Sequence, residues 1–214
     1  MERIVALVYS PDFNESNYGP LCKFRPDYML PFGGRYRIID FALSNLANYD
    51  INRVILYAGS KLRSTLDHVG NGKSWELNRR NGGLMINPVG LASKGPRSEV
   101  ETYYDTIVYF HEHDFEYVYI KNPMYIIKED IGDAMEKMKE EDIDCLILSN
   151  KTVDKDGEYL NQSIINSDDS GKPTGVGINL GITDTVDLFL GSLLMKKEAF
   201  LKVLRHAMQA NVSN

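Results

Sequence analysis

Cysteine is scarce in this chain: its 214 residues include two, Cys22 and Cys145. Their spacing matches no metal-ligand or dithiol redox motif, and a single pair is weak ground for a disulfide. Free thiols in a cytoplasmic protein are the expectation. An excess of positive charge is missing too. With 24 Lys and Arg against 30 Asp and Glu, the net charge is −6, which argues against a nucleic-acid surface but leaves local binding of a phosphate open. Long apolar runs are absent. The N-terminal stretch 1–8 is too short for a signal-peptide core with a cleavage site, and nothing after it is long enough to span a bilayer, so no membrane partner is expected. Neither an internal repeat nor a linker is visible, and residues 1–214 read as one domain. The 43% hydrophobic and 25% charged content is that of an ordinary globular protein.

Apolar runs at residues 4–9, 53–57, 117–120 and 144–148 read as strands, the first two buried on both faces. Helical periodicity marks 39–48, 61–68, 100–113, 128–141 and 197–208. In 100–113 the stripe is Tyr104, Ile107, Val108 and His111; in 128–141 it is Ile131, Ala134, Met135 and Met138. Residues 12–28 read as a long polar loop, and 152–179 as a polar, turn-rich stretch with turns at Asp156-Gly157 and Ser170-Gly171. Strands alternating with helices predict an α/β fold with a mostly parallel mixed sheet flanked by helices. Ligands of such sheets sit beyond the carboxyl ends of the strands. That directs attention to the loop after Tyr9, to residues 121–125 and to the strand end near Tyr57.

Residues 31–45 read Pro-Phe-Gly-Gly-Arg-Tyr-Arg-Ile-Ile-Asp-Phe-Ala-Leu-Ser-Asn. A turn at Gly33-Gly34 lets the backbone bend tightly or approach a ligand. Arg35 and Arg37 beside it carry the planar donor fork that suits phosphate or carboxylate. On local features alone this is a tight loop feeding an amphipathic helix, with Ile39, Leu43 and Leu46 on one face. Asp40 and Asn45 read as groups that satisfy amides at the helix N-terminus. The run His111-Glu112-His113-Asp114 reads as a solvated helix end, since i and i+2 do not face each other on a helix.

The same stretch, from Phe32, Gly33, Gly34 and Arg35 through Asp40 to Asn45, closely resembles the signature of the ADP-glucose pyrophosphorylases (glucose-1-phosphate adenylyltransferases). The likeness continues in order through Gly70-Asn71-Gly72-Lys73-Ser74-Trp75-Glu76-Leu77-Asn78-Arg79 and Gly82-Gly83-Leu84-Met85-Ile86-Asn87-Pro88. It implies a Rossmann-like nucleotide-diphospho-sugar transferase domain. Family members add a C-terminal left-handed β-helix of hexapeptide repeats. None occurs before Asn214, so the chain is expected to be the N-terminal domain alone, in truncated form.

The departures from that resemblance bear on activity. The family's glycine-rich triphosphate loop is replaced by Tyr9-Ser10-Pro11-Asp12-Phe13-Asn14-Glu15-Ser16-Asn17, with a proline that removes a donor amide and two carboxylates. The lysine of Arg-Ala-Lys-Pro falls on Asp27, and the metal-binding aspartate of Ser-Gly-Asp-His falls on Met124, a poor ligand for Mg²⁺. The Gly-Thr-Ala-Asp turn becomes Thr102-Tyr103-Tyr104-Asp105, whose tyrosines are expected to fill nucleotide space. The Glu-Lys-Pro motif of the sugar-phosphate site has no counterpart in 174–187. Transfer of a nucleotidyl group needs a neutralised α-phosphate and a held metal, and here the family's means to both are replaced. The pattern resembles a GlgD-type regulatory subunit, not catalytic alone, that modulates a catalytic pyrophosphorylase partner in a hetero-oligomer of glycogen biosynthesis. No cofactor is expected, although active relatives use Mg²⁺. Arg25 and Arg37 fall where the family's effector-binding arginines lie and are candidates for a phosphorylated-sugar effector. The competing reading is an active sugar-phosphate nucleotidyltransferase with a rebuilt triphosphate loop, making ADP-glucose from ATP and glucose 1-phosphate. A simple sugar-phosphate or effector sensor is a third.

Overall fold

The computed structural model describes residues 4–10, 12–59, 61–89 and 97–210. In chain order, β1 (Ile4–Val8) is followed by a hairpin of two short strands, β2 (Pro31–Phe32) and β3 (Tyr36–Arg37), that runs directly into α1 (Ile38–Asn48). Next come β4 (Arg53–Ala58), α2 (Leu62–Val69), β5 (Gly83–Pro88), α3 (Glu99–Tyr104), α4 (Ile107–Glu112), β6 (Tyr117–Lys121) and α5 (Ile131–Glu140). The remainder is β7 (Cys145–Val153), β8 (Ser163–Ser167), β9 (Pro173–Ile178), β10 (Thr185–Lys196) and α6 (Lys197–Gln209). The chain folds as two compact units, one of residues 1–146 with 194–214 and one of 147–193.

The first unit is built on parallel strands in the order β5-β4-β1-β6. β1 is central, with Ala6 in register with Val54 on one side and Tyr119 on the other. All five of its side chains are buried, as an uninterrupted apolar strand covered on both faces should be. Even-numbered side chains of β1 join Ile39, Leu43 and Leu46 of α1 and Met135 and Met138 of α5 in one core cluster. Odd-numbered ones join Tyr103, Phe110 and the α6 residues Phe200, Leu201 and Leu204 in the other. In the second unit β8 pairs antiparallel with β9 and with β10, and the turn at Ser170-Gly171 closes the β8–β9 hairpin.

Several expectations are corrected. Residues 12–28 are not a structureless loop: 3₁₀ turns run from Asp12–Cys22 and Asp27–Met29. Helix 128–141 begins only at Ile131, where the Asp130 carboxylate accepts the Asp133 amide. The strand expected at 144–148 extends to Val153. The single helix 100–113 is two, α3 and α4, broken around Thr106. Of its supposed apolar stripe Ile107 packs on the core, but Tyr104 is 37% and Val108 60% exposed, while Thr102, Tyr103, Thr106 and Phe110 are buried. Threonines occupy core positions here because their hydroxyls are satisfied locally: Thr102 Oγ1 donates to the Ser98 carbonyl and Thr106 Oγ1 to that of Tyr103.

Candidate functional site

The carboxyl ends of β1 and β6 are tied together where the Tyr9 amide donates to the Lys121 carbonyl at 3.2 Å. Beside this junction the Asp27 side chain turns inward and is 1% exposed. Its carboxylate accepts the Ser10 hydroxyl and the Tyr28 amide, both at 2.7 Å. The next residue, Tyr28, is buried with its hydroxyl 3.0 Å from that of Thr65 in α2. A buried carboxylate at the first strand end repels phosphate oxygens at close range, where the local dielectric is low. Behind it Tyr9, Tyr57 and Tyr103 meet edge to face, with ring centroids 5.3–6.1 Å apart. Tyr103 therefore lies in the core under the strand ends, and Tyr57 hydrogen-bonds Thr106 through its hydroxyl. Burial raises the pKa of both phenols, so they stay neutral.

Residues 122–130 form a strap with no regular secondary structure, fastened to α1 through its C-terminal half. Asn45 Nδ2 in α1 donates to the Ile127 carbonyl at 2.7 Å, and the Tyr49 hydroxyl donates to the Glu129 carbonyl. Asn45 thus serves the strap; it does not bond to its own helix's N-terminal amides as the sequence had indicated. Glu129 accepts Lys121 Nζ at 3.2 Å and the Tyr119 hydroxyl, all through Oε1. Side-chain exposure is 1% for Lys121 and 5% for Glu129. Burial pushes the Lys121 ammonium below the usual lysine range, while the Glu129 carboxylate pulls it back up. Glu129 Oε2 is buried with no hydrogen-bond donor among the described residues.

The signature residues form a continuous piece of structure. Gly33 and Gly34 adopt φ of 60° and 89° and reverse the chain between β2 and β3. Phe32 and Tyr36 meet the Phe41 ring edge-on, and Arg35 lies over Tyr36. Asp40 caps α1 by accepting the Arg37 amide at 2.9 Å, and its other oxygen is 2.6 Å from His68 Nε2. The half-buried Trp75 packs on the core and meets His68 edge-on. Gly82 and Gly83 have φ of 99° and 84°; a Cβ on Gly83 would lie 2.6 Å from the Leu77 carbonyl oxygen. Arg25 and Arg37 are half-buried, and neither guanidinium has an ion-pair or hydrogen-bond partner among the described residues.

Neither Met124, which the resemblance sets at a metal position, nor the engaged Asp105 offers a ready site for a hard cation such as Mg²⁺. Met124 offers a thioether, and its amide is taken by Asn122 Oδ1 at 2.9 Å. Asp105 is engaged by both terminal nitrogens of Arg97. Among the described residues no three His, Cys, Asp or Glu side chains are grouped to hold a metal ion. Pro11, and the side chains of residues 12–16, lie outside the described residues, so the rebuilt loop bears on the site only through Tyr9 and Ser10.

No family model matches the chain. It is 34% identical over 149 residues to a glucose-1-phosphate adenylyltransferase of Clostridium perfringens, covering 68% of this chain and 38% of that protein. It is 45% identical over 69 residues to the glycogen biosynthesis protein GlgD of Geobacillus stearothermophilus (32% and 20% covered) and 38% over 99 residues to that of Bacillus subtilis (44% and 28%). The chain is a GlgD-type, ADP-glucose pyrophosphorylase-like protein. The matched region spans less than half the length of each of these relatives. A solved structure described as a glucose-1-phosphate thymidylyltransferase of Bacillus anthracis has the same fold, with a TM-score of 0.70 at 14% identity, over 95% of this chain and 74% of that one. The Rossmann-like nucleotidyltransferase fold implied by the signature is therefore the observed one. Among the described residues no helix is long and apolar enough to cross a membrane.

Proposed function

We propose that this chain is the nucleotidyltransferase-like domain of a cytoplasmic regulatory subunit in glycogen biosynthesis, without turnover of its own, that modulates a catalytic pyrophosphorylase subunit within a hetero-oligomer. The inward-turned Asp27 carries this reading. A carboxylate held by Ser10 and Tyr28 stands where active relatives place a lysine, and a triphosphate brought to the end of β1 would meet it. Arg25 and Arg37, both without a partner carboxylate among the described residues, are the groups we assign to a phosphorylated-sugar effector. The test is ADP-glucose formation from ATP, glucose 1-phosphate and Mg²⁺ by the full-length protein alone, by the catalytic subunit alone and by the co-expressed pair. No turnover alone, with altered turnover in a co-purifying pair, is expected. Turnover alone comparable to that of an active relative overturns the proposal in favour of a rebuilt active site.

A further inference from the structure

Away from the strand ends that carry the site, the first unit has two adjoining cavities at the opposite, N-terminal ends of β1 and β4. One, of about 610 Å³, lies between the corner after α1 and helix α5; the other, of about 370 Å³, lies between the same corner and the turn at Lys73–Trp75. They share Asn48, Asp50, Ile51 and Asn52, with Asp50 turning the corner at a φ of 55°. Both volumes fall in the range of roughly 300–1,000 Å³ typical of small-molecule sites.

The chemistry of this groove is specific. The side-chain carboxamides of Asn48, Asn52 and Asn81 line it and have no hydrogen-bond partner among the described residues. Each cavity also has one aromatic ring. Tyr49 lines the larger, its ring fixed by the hydroxyl's bond to the Glu129 carbonyl; Trp75 lines the smaller, held edge-on to His68. Asp50, without an ion-pair partner among the described residues, faces both cavities and disfavours an anion in either. In the larger cavity Asp50 and Glu136 are balanced by Arg53 and Lys139, which disfavours a cation. A carboxamide both donates and accepts, as a sugar hydroxyl does. Aromatic and aliphatic walls cover the C–H faces that a pyranose presents.

We propose that this groove binds a neutral oligosaccharide, with one sugar unit against Tyr49 and another against Trp75. The proposal is independent of whether the chain turns over a nucleotide, because it concerns the opposite end of the sheet.

Trp75 is the sole tryptophan of the chain, so it reports on the groove directly. Titrating the full chain with maltotriose should give a saturable change in tryptophan emission, with a Kd of about 1–10 mM, a few kcal/mol of binding. Replacing Asn48 and Asn52 together by Ala, at unchanged melting temperature, should weaken it about tenfold. If that double variant fails to fold, Asn81→Ala, whose side chain is exposed and unbonded, should weaken it measurably instead. Glucose 1-phosphate should perturb the emission less than maltotriose at equal concentration. No saturation up to about 50 mM maltotriose, binding unchanged in a folded Asn variant, or tighter binding of glucose 1-phosphate at Trp75 would each overturn the proposal.

Discussion

The buried pair Lys121–Glu129 offers a sharp test of what holds the 122–130 strap. Lys121→Met leaves the Glu129 carboxylate, 5% exposed, with the Tyr119 hydroxyl as its remaining side-chain donor. Stranding one member of a buried ion pair costs about 3–5 kcal/mol. Glu129→Leu strands the ammonium instead, but Lys121 can discharge. Releasing a proton at pH 7 from a group with an ordinary pKa near 10.4 costs at most about 5 kcal/mol, and burial has already moved Lys121 part of that way. Its loss should therefore lie toward the lower end of the same range. The double variant Lys121→Met/Glu129→Leu removes both charges and should be within about 1 kcal/mol of the original chain, since exchange of a buried pair for apolar groups is often neutral or stabilising. Urea unfolding with an unchanged m-value measures all three. Single-variant losses below about 1 kcal/mol, or a double variant whose loss equals the sum of the singles, would refute the account. The pH dependence has a definite sign. With the folded pKa below the unfolded one, the unfolded chain binds more protons between the two values. This site's contribution to stability therefore rises with pH through that window, and the rise disappears in Lys121→Met.

Gly83→Ala forces a side chain into the left-handed region and sets its Cβ 2.6 Å from the Leu77 carbonyl oxygen, so a loss of about 2–5 kcal/mol is expected by thermal or urea melting. Asn45→Ala removes the donor to Ile127 and should cost about 1–3 kcal/mol. Amide exchange should then quicken in 122–130 more than in β1; equal acceleration in both would show that Asn45 does not act through the strap. Asp27→Asn keeps the volume but offers one acceptor oxygen to Ser10 and Tyr28 where there were two. A loss of about 1–2 kcal/mol without any gain of ADP-glucose synthesis is expected, and appearance of that activity in a turnover assay would contradict the regulatory reading.

Much of the first unit was legible because its signals are periodic. The apolar runs of β1 and β4 and the stripes of α1 and α5 follow from burial on known faces, and the Gly-Gly pairs from backbone angles that glycine adopts without strain. The α3–α4 region was misread because its inward positions include threonines, whose hydroxyls find backbone carbonyls, whereas apolar Val108 points outward. The role of Asn45 depends on a carbonyl 82 residues away, which no local pattern encodes. Lys121 carried a usable hint, since it extends the β6 alternation that buries Tyr117 and Tyr119, and a lysine at such a position requires a partner. The identity of that partner is set by the path of the strap.

The central place of β1 has a consequence for synthesis of the chain. Ile4–Val8 is translated before both of its neighbours: one is made only when Val54–Leu56 emerges and the other only with Tyr117–Lys121. Until then this apolar segment has at most one edge paired, because β6 is still inside the ribosome or unmade. Parallel pairing over such separations is slow to form. The nascent chain should accordingly be most dependent on a holding chaperone until β6 is released, and ribosome-bound chains stalled before and after residue 121 should differ in protease resistance at their N-terminal ends.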